Sequence, residues 1–137
     1  MKILIIHGAN LNLLGYWSAQ NNKKITLNKI NQKIRKHIRN KNVKIKIIQS
    51  NDEMKAVSYI QNNRNKLDAI IITPGPWQNS AYVLKDLLEL IKIPFITISY
   101  REDEKINLLK GIKNIFNEDL SKSYQEAIDL LKAKYEK

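Results

Sequence analysis

The sequence has no cysteine. Disulfides and thiolate-held metals are therefore excluded, and a reducing compartment is compatible. Glycine is scarce, with four in 137 residues, and proline scarcer, with three. No flexible or proline-rich linker can be built from so few. No apolar run approaches a membrane span, and the four apolar residues between Lys2 and His7 are too few for the core of a secretory signal. A cytoplasmic protein with no membrane contact is the expectation. Acid is also short: 13 Asp and Glu stand against 24 Lys and Arg, a net charge of +11. Such an excess suits nucleic acid or an anionic ligand. It also arises from a lysine-rich solvated surface, and the abundance of asparagine and isoleucine favours that general bias. No repeat, no G-x-x-x-x-G-K phosphate loop and no metal-ligand cluster is present, so neither cofactor nor metal is expected.

What the chain does have is alternation. Its length fits one domain, 1–137. Lys2 to Ile6 reads as a buried strand. Thr26 can cap a helix whose apolar positions are Leu27, Ile30, Ile34 and Ile38. Val43, Ile45 and Ile47 alternate with lysines, as in a strand covered on one face. Met54, Val57 and Ile60 mark a short helix, and Ala69 to Ile72 a second buried strand, stopped by Thr73-Pro74-Gly75-Pro76. Asn79 or Ser80 can cap a helix carrying Leu84, Leu87, Leu88 and Ile91. Pro94 opens a strand through Ile98, and a further strand falls near Ile112 to Phe116. Tyr124, Ala127, Leu131 and Tyr135 form one stripe of a last helix.

This order predicts an α/β fold, a flavodoxin-like three-layer sandwich with a central parallel sheet. In such sheets the ligand crevice lies beyond the carboxyl ends of the strands, where the strand order reverses. With the order 2-1-3-4-5, the loops Gly8 to Lys24, Thr73 to Asn79 and the loop from Ser99 face one cavity. Gly8, Gly15 and Gly75 all fall in these loops, where backbone can approach a ligand closely.

The first loop, Gly8-Ala9-Asn10-Leu11-Asn12-Leu13-Leu14-Gly15, resembles the G-P-N-L-N-L-L-G motif of the type II 3-dehydroquinate dehydratases. Agreement continues through Thr26-Leu27, Gln49-Ser50-Asn51, Glu53, Pro74-Gly75, Leu84, Asp86 and Pro94, without gaps to about residue 110. The resemblance implies a hydro-lyase of the shikimate pathway that assembles as trimers gathered into dodecamers. It also implies a mechanism. A tyrosinate, its pKa lowered by an arginine, removes a proton beside the ketone. A water held by the first asparagine stabilises the enolate. A histidine oriented by a glutamate protonates the departing hydroxyl.

Registered onto that mechanism, most of the groups differ. Trp17 stands at the arginine and Asn22 at the tyrosine. Thr97 replaces the orienting glutamate and Ser99 the acid histidine. Among substrate-binding positions Thr73 replaces an asparagine, Asn79 a histidine and Arg101 a serine; Lys110 replaces an arginine, without its bidentate fork. Asn10 and Asp86 keep the family's residue type, and the resemblance assigns Asp86 to a neighbouring subunit's site. Gly75 keeps its place in the loop.

The residues therefore point to a member of this family with a rebuilt, dehydratase-inactive site that binds a small anionic molecule, with Arg101 and Lys110 as its attraction. Two other readings compete: an active dehydratase using substitute groups, and a charge-driven nucleic-acid binder. Tyr100 beside Arg101 is the best replacement base, because a cation lowers a phenol pKa. His7 is either a replacement acid or a buried structural histidine. Asn10 and Asn12 either cap the loop or, for Asn10, touch ligand or water. Trp17 and Trp77 are expected at the cavity mouth. The basic helix face of Lys29, Lys33, Arg35, Lys36, Arg39 and Lys41 has no aromatic platform beside it, so nucleic acid is not the expected partner.

Overall fold

Unbroken runs of isoleucine and leucine in the central strands need cover on both faces, and helices on either side of the sheet supply it. The computed structural model describes residues 1–137. Strands β1 (Lys2–His7), β2 (Lys44–Gln49), β3 (Ala69–Thr73), β4 (Phe95–Ile98) and β5 (Lys113–Ile115) form one parallel sheet in the order β2-β1-β3-β4-β5. Ile3, Ile5, Ile71, Ile96 and Ile98 point to one face and pack with Ile30 and Ile34 of α2 (Leu27–His37) and Tyr124, Ile128 and Leu131 of α5 (Leu120–Tyr135). Leu4, Ile6, Ile70 and Ile72 point to the other, against α3 (Glu53–Asn63) and α4 (Tyr82–Ile91). The period of two along a strand sends neighbours to opposite layers. Each such side chain, fully buried, stabilises by roughly 1.5–3 kcal/mol. No helix is long and apolar enough to cross a membrane.

Three local expectations are corrected. The stretch Gly8 to Lys24, expected as a loop, coils into a 3-10 turn at Leu11–Leu13 and a short helix α1 (Leu14–Gln20). Leu11 and Leu14 are buried, and Ser18 turns inward to accept the Ile25 amide at 2.7 Å, which fixes the chain's return. Polar neighbours hide that two-residue apolar anchor in the sequence.

Neither Asn79 nor Ser80 caps α4. Residues Gly75–Asn79 form a 3-10 turn, Ala81 is the N-cap, and the Leu84 amide donates to Glu53 Oε2 at 3.0 Å. The cap comes from α3, a partner only the tertiary fold supplies. Finally, Tyr135 is 55% exposed, so the buried stripe of α5 ends at Leu131.

Candidate functional site

The site is built where β1, β3 and β4 end. Gly8 continues β1 by donating its amide to Thr73 O at 2.9 Å. A Cβ at Gly8 would lie 2.7 Å from Pro74 O, so no larger residue fits between the first and third loops. Gly75 has φ +56°, a left-handed conformation open to glycine, and sits against Ala9 O, Leu11 and the Tyr100 ring. The loops carrying Asn10, Gly75 and Ser99 thus meet, as the strand order requires.

Asn10 is itself left-handed at φ 71°. Its amide donates to Asn51 Oδ1 at 2.9 Å, and Gln49 Nε2 donates to Gly8 O at 3.2 Å. The Asn10 and Asn12 side chains are exposed, and Asn10 caps nothing. The capping expected of these two asparagines is therefore done by Gln49 and Asn51. Thr26 accepts the Lys29 amide at 3.2 Å and caps α2. Several residues shared with the family motif, Gln49, Asn51, Glu53 and Thr26, thus hold scaffold together.

Behind the loops lies a buried polar relay. His7 ends β1 and is fully buried. Its Nε2 faces Asn31 Oδ1 at 2.8 Å and its Nδ1 faces Tyr124 Oη at 3.1 Å. The Thr73 hydroxyl completes the chain by bonding Tyr124 Oη. Asn31 Oδ1 only accepts, so Nε2 carries the proton and Nδ1 accepts from Tyr124. Thr73 then donates to Tyr124. Burial depresses the His7 pKa from 6.5 to about 4, with the Asn31 hydrogen bond opposing weakly. Burial likewise pushes the Tyr124 phenol far up. Both groups stay neutral at pH 7, and every hydrogen-bonding site is occupied.

A second cluster lies on the other face of the sheet. Thr97 Oγ1 donates to Asn114 Oδ1 at 2.7 Å, and Asn114 Nδ2 donates to Ser99 Oγ at 3.2 Å. Thr97 and Asn114 are register partners on β4 and β5. Thr97 and Ser99 are 0% and 4% exposed. These two positions are tied to β5.

The mouth is aromatic and charged. Trp17 of α1 meets Tyr100 edge to face, ring centres 5.2 Å apart at 90°. Lys23 Nζ lies 5.4 Å from the Trp17 ring and Arg101 Cζ 5.3 Å from the Tyr100 ring. The expected single cavity is instead two depressions. One depression of about 370 Å³ is lined by Trp17, Asn21, Lys23, Tyr100, Arg101 and Glu118, among others. A second of about 270 Å³ is lined by Gly75, Asn79, Arg101, Glu104, Lys105 and Asn107, among others. Arg101 and Asp103 border both. Lys110 lines a third, with Lys85, Glu89 and Phe95, so it is not brought to Arg101. Asn22 is exposed and left-handed at φ 57°, outside these depressions. Asp86 is exposed on α4 between Val83 and Leu90. Trp77, expected at the mouth, is buried in the α3–α4 core.

Tyr100 corrects the sequence argument for a tyrosinate. Its pKa is raised: burial outweighs the lowering by Arg101, and Glu104 adds to the rise. Glu104 was missed altogether, because Arg101-Glu102-Asp103-Glu104 reads as a solvated charge run. Its carboxylate oxygens are shielded from solvent, and neither nearby amide, Tyr100 or Arg101, makes a well-formed hydrogen bond to them. Burial holds that carboxyl above the usual range, and Arg101 pulls it partly back. Tyr124, Asn31 and Asn114 were also missed as polar partners. The available signal for Tyr124 was a hydroxyl on an otherwise apolar stripe.

Fold and site together describe an α/β protein that gathers polar groups at the carboxyl ends of a 2-1-3-4-5 parallel sheet. Residues 1–104 match the family model Dehydroquinase class II, and the chain belongs to that family. A 3-dehydroquinate dehydratase of Clostridium botulinum (strain 657 / Type Ba4) is 38% identical over 97 residues, covering 71% of this chain and 66% of the relative. The match thus spans just under two thirds of that relative's length. A 3-dehydroquinate dehydratase of Pelotomaculum thermopropionicum is 36% identical over 98 residues, covering 72% and 68%. The crystal structure of a type II dehydroquinase from Butyrivibrio crossotus superposes with a TM-score of 0.84 at 28% identity, over 96% of this chain and 97% of that one. Asn114 and Tyr124, which tie off the two buried clusters, both lie beyond residue 104, where the family match stops.

Proposed function

We propose that this family member has lost 3-dehydroquinate dehydration and keeps a rebuilt pocket around Arg101 for a small anionic molecule. The carrying observation is that Thr97 and Ser99, at the positions of the orienting carboxylate and the acid imidazole, are buried and hydrogen-bonded to Asn114. Neither is an acid or base near neutral pH. No substitute base compensates: Tyr100 is shifted up and His7 is neutral and fully engaged.

Arg101 supports the anion. It is exposed at the border of two depressions, and guanidinium matches a carboxylate with paired donors. Asp103, Glu104 and Lys105 share its smaller depression, which leaves no net charge there. The pocket therefore suits a ligand with one anionic group beside neutral hydrogen-bonding groups, a narrower reading than charge attraction by Arg101 with Lys110. Asn79 and Asn107 line the same depression, their side chains joined at 2.8 Å. We further propose a cytoplasmic homo-oligomer, trimer or dodecamer; Tyr82, Val83 and Leu90 leave α4 with an exposed apolar stripe around Asp86.

An active dehydratase is the competing reading, favoured by Glu104, the one carboxyl near Arg101 held above its usual range. Following the conjugated product at micromolar enzyme separates the two. Background rates are expected; a turnover near about one per second, within the ordinary enzyme range, would overturn the proposal. Thermal-shift screening with small carboxylates tests the pocket. A ligand at about a hundredfold its Kd should stabilise by about 2.7 kcal/mol. Arg101→Ala should abolish most of that gain, and an unaffected shift would remove Arg101 from the site.

A further inference from the structure

The net charge of this protein is confined to one part of the chain. Residues 1–51 contain 11 of the 24 Lys and Arg and none of the 13 Asp and Glu; from Asp52 onward 13 bases meet 13 acids. The whole excess of +11 therefore sits before Asp52. A general bias toward lysine would not strip acid from one continuous stretch.

The fold concentrates that stretch further. It comprises β1 inside the sheet, α1, α2, and β2 at the sheet edge. Lys29, Lys33 and Lys36 stand four and three residues apart, one stripe along α2. At 1.5 Å per residue the stripe is about 10 Å long. All three are exposed, and none takes part in an ion pair. Beside the stripe, α2 and α5 enclose a groove of about 460 Å³, lined by Lys33, Lys36, His37, Asp119, Ser121, Lys122 and Gln125. Lys122 likewise forms no ion pair, so three free ammonium groups from two helices border one groove. Asp119 is the single acid lining it, and that carboxylate is engaged by the Ser121 amide and hydroxyl. His37 is held by Asp129 at 2.8 Å.

We propose that the exposed face of α2, with its groove against α5, binds the phosphate backbone of a nucleic acid. A single phosphate needs only two or three donors. An extended cationic stripe along α2, with Lys122 facing it across the groove, suits a polymer whose charges repeat. No Phe, Tyr or Trp lines the groove, and its one ring, His37, is held by Asp129, so base stacking contributes little and the binding is independent of sequence. This surface is separate from the pocket around Arg101, and its failure would leave the pocket untouched.

The test uses the full chain and a fluorescently labelled 20-base-pair duplex, with anisotropy measured from 50 to 200 mM salt. Each phosphate contact contributes about 0.9 to the slope of log affinity against log salt. The triple variant Lys33→Gln, Lys36→Gln, Lys122→Gln should flatten that slope by about 2.7 and weaken binding at 50 mM at least about tenfold. An equal-charge control, Lys55→Gln, Lys66→Gln, Lys92→Gln, should change the slope by less than about one. Circular dichroism melts confirm that both variants fold. Equal losses in the two variants, or no binding by the native chain at 50 mM salt, would overturn the proposal. So would displacement of the duplex by micromolar inorganic triphosphate, or tighter binding to phosphatidylserine vesicles than to duplex.

Discussion

Acidification should weaken this fold chiefly through the buried His7. The unfolded imidazole titrates near 6.5, whereas burial holds the folded one at about 4. A base whose folded pKa is depressed lends its full stability above the unfolded value. That contribution is lost as pH falls through the folded value. Below pH 6.5 the unfolded chain takes up a proton that the native chain refuses. Each unit of separation is about 1.36 kcal/mol, so the gap amounts to about 3 kcal/mol between pH 6.5 and 4. Against a typical total of roughly 5–15 kcal/mol this is a large fraction. The relay explains why the proton is refused. Nδ1 already accepts from Tyr124, so a second proton there would meet a hydroxyl that must then reverse toward Thr73. Urea unfolding from pH 7.5 to 4, for the native chain and for His7→Gln, measures the effect. The difference between the two curves isolates His7, because Glu104, whose raised pKa works in the opposite sense, is common to both. The native chain should lose about 3 kcal/mol more than the variant across that window. Parallel curves would refute the reasoning. If His7→Gln does not fold, imidazole nitrogen shifts of the native chain decide: His7 should remain neutral and protonated on Nε2 at pH 5.5, and a protonated ring there would also refute it.

Tyr124→Phe removes the hydroxyl between His7 Nδ1 and Thr73, leaving a buried acceptor unpaired. Denaturant unfolding should show a loss of about 1–3 kcal/mol, non-additive with His7→Gln; a loss within about 0.5 kcal/mol would mean the relay carries little stability. Gly8→Ala would place a methyl 2.7 Å from Pro74 O and 2.8 Å from Thr73 O, both backbone atoms that cannot swing aside. A loss of about 1–3 kcal/mol or more is expected by thermal or denaturant melt, since overpacking forces backbone to shift. An unchanged midpoint would mean the first and third loops are free to separate.

Much of the architecture was legible because it rests on local periodicity. Short continuous apolar runs in β1 and β3, and the three- and four-residue spacing in α2 and α4, dictate element type through geometry that needs no distant partner. Alternation of strands with helices then leaves a parallel sheet as the economical way to cover both faces. The meeting of the first and third loops was legible for a different reason: Gly8 and Gly75 are needed where two backbones approach within contact, and few other residues can stand there. What escaped the sequence was pairing. Glu53 caps a helix 31 positions away, Tyr124 bonds His7 from 117 positions away, and Asn114 meets Thr97 only because β5 docks on β4. A hydrogen bond between residues so far apart has no spacing to betray it. The charge of Tyr100 also depended on tertiary structure. Sequence placed a cation beside the phenol, but the depth of burial decided the direction of its pKa, and desolvation outweighed the neighbouring guanidinium.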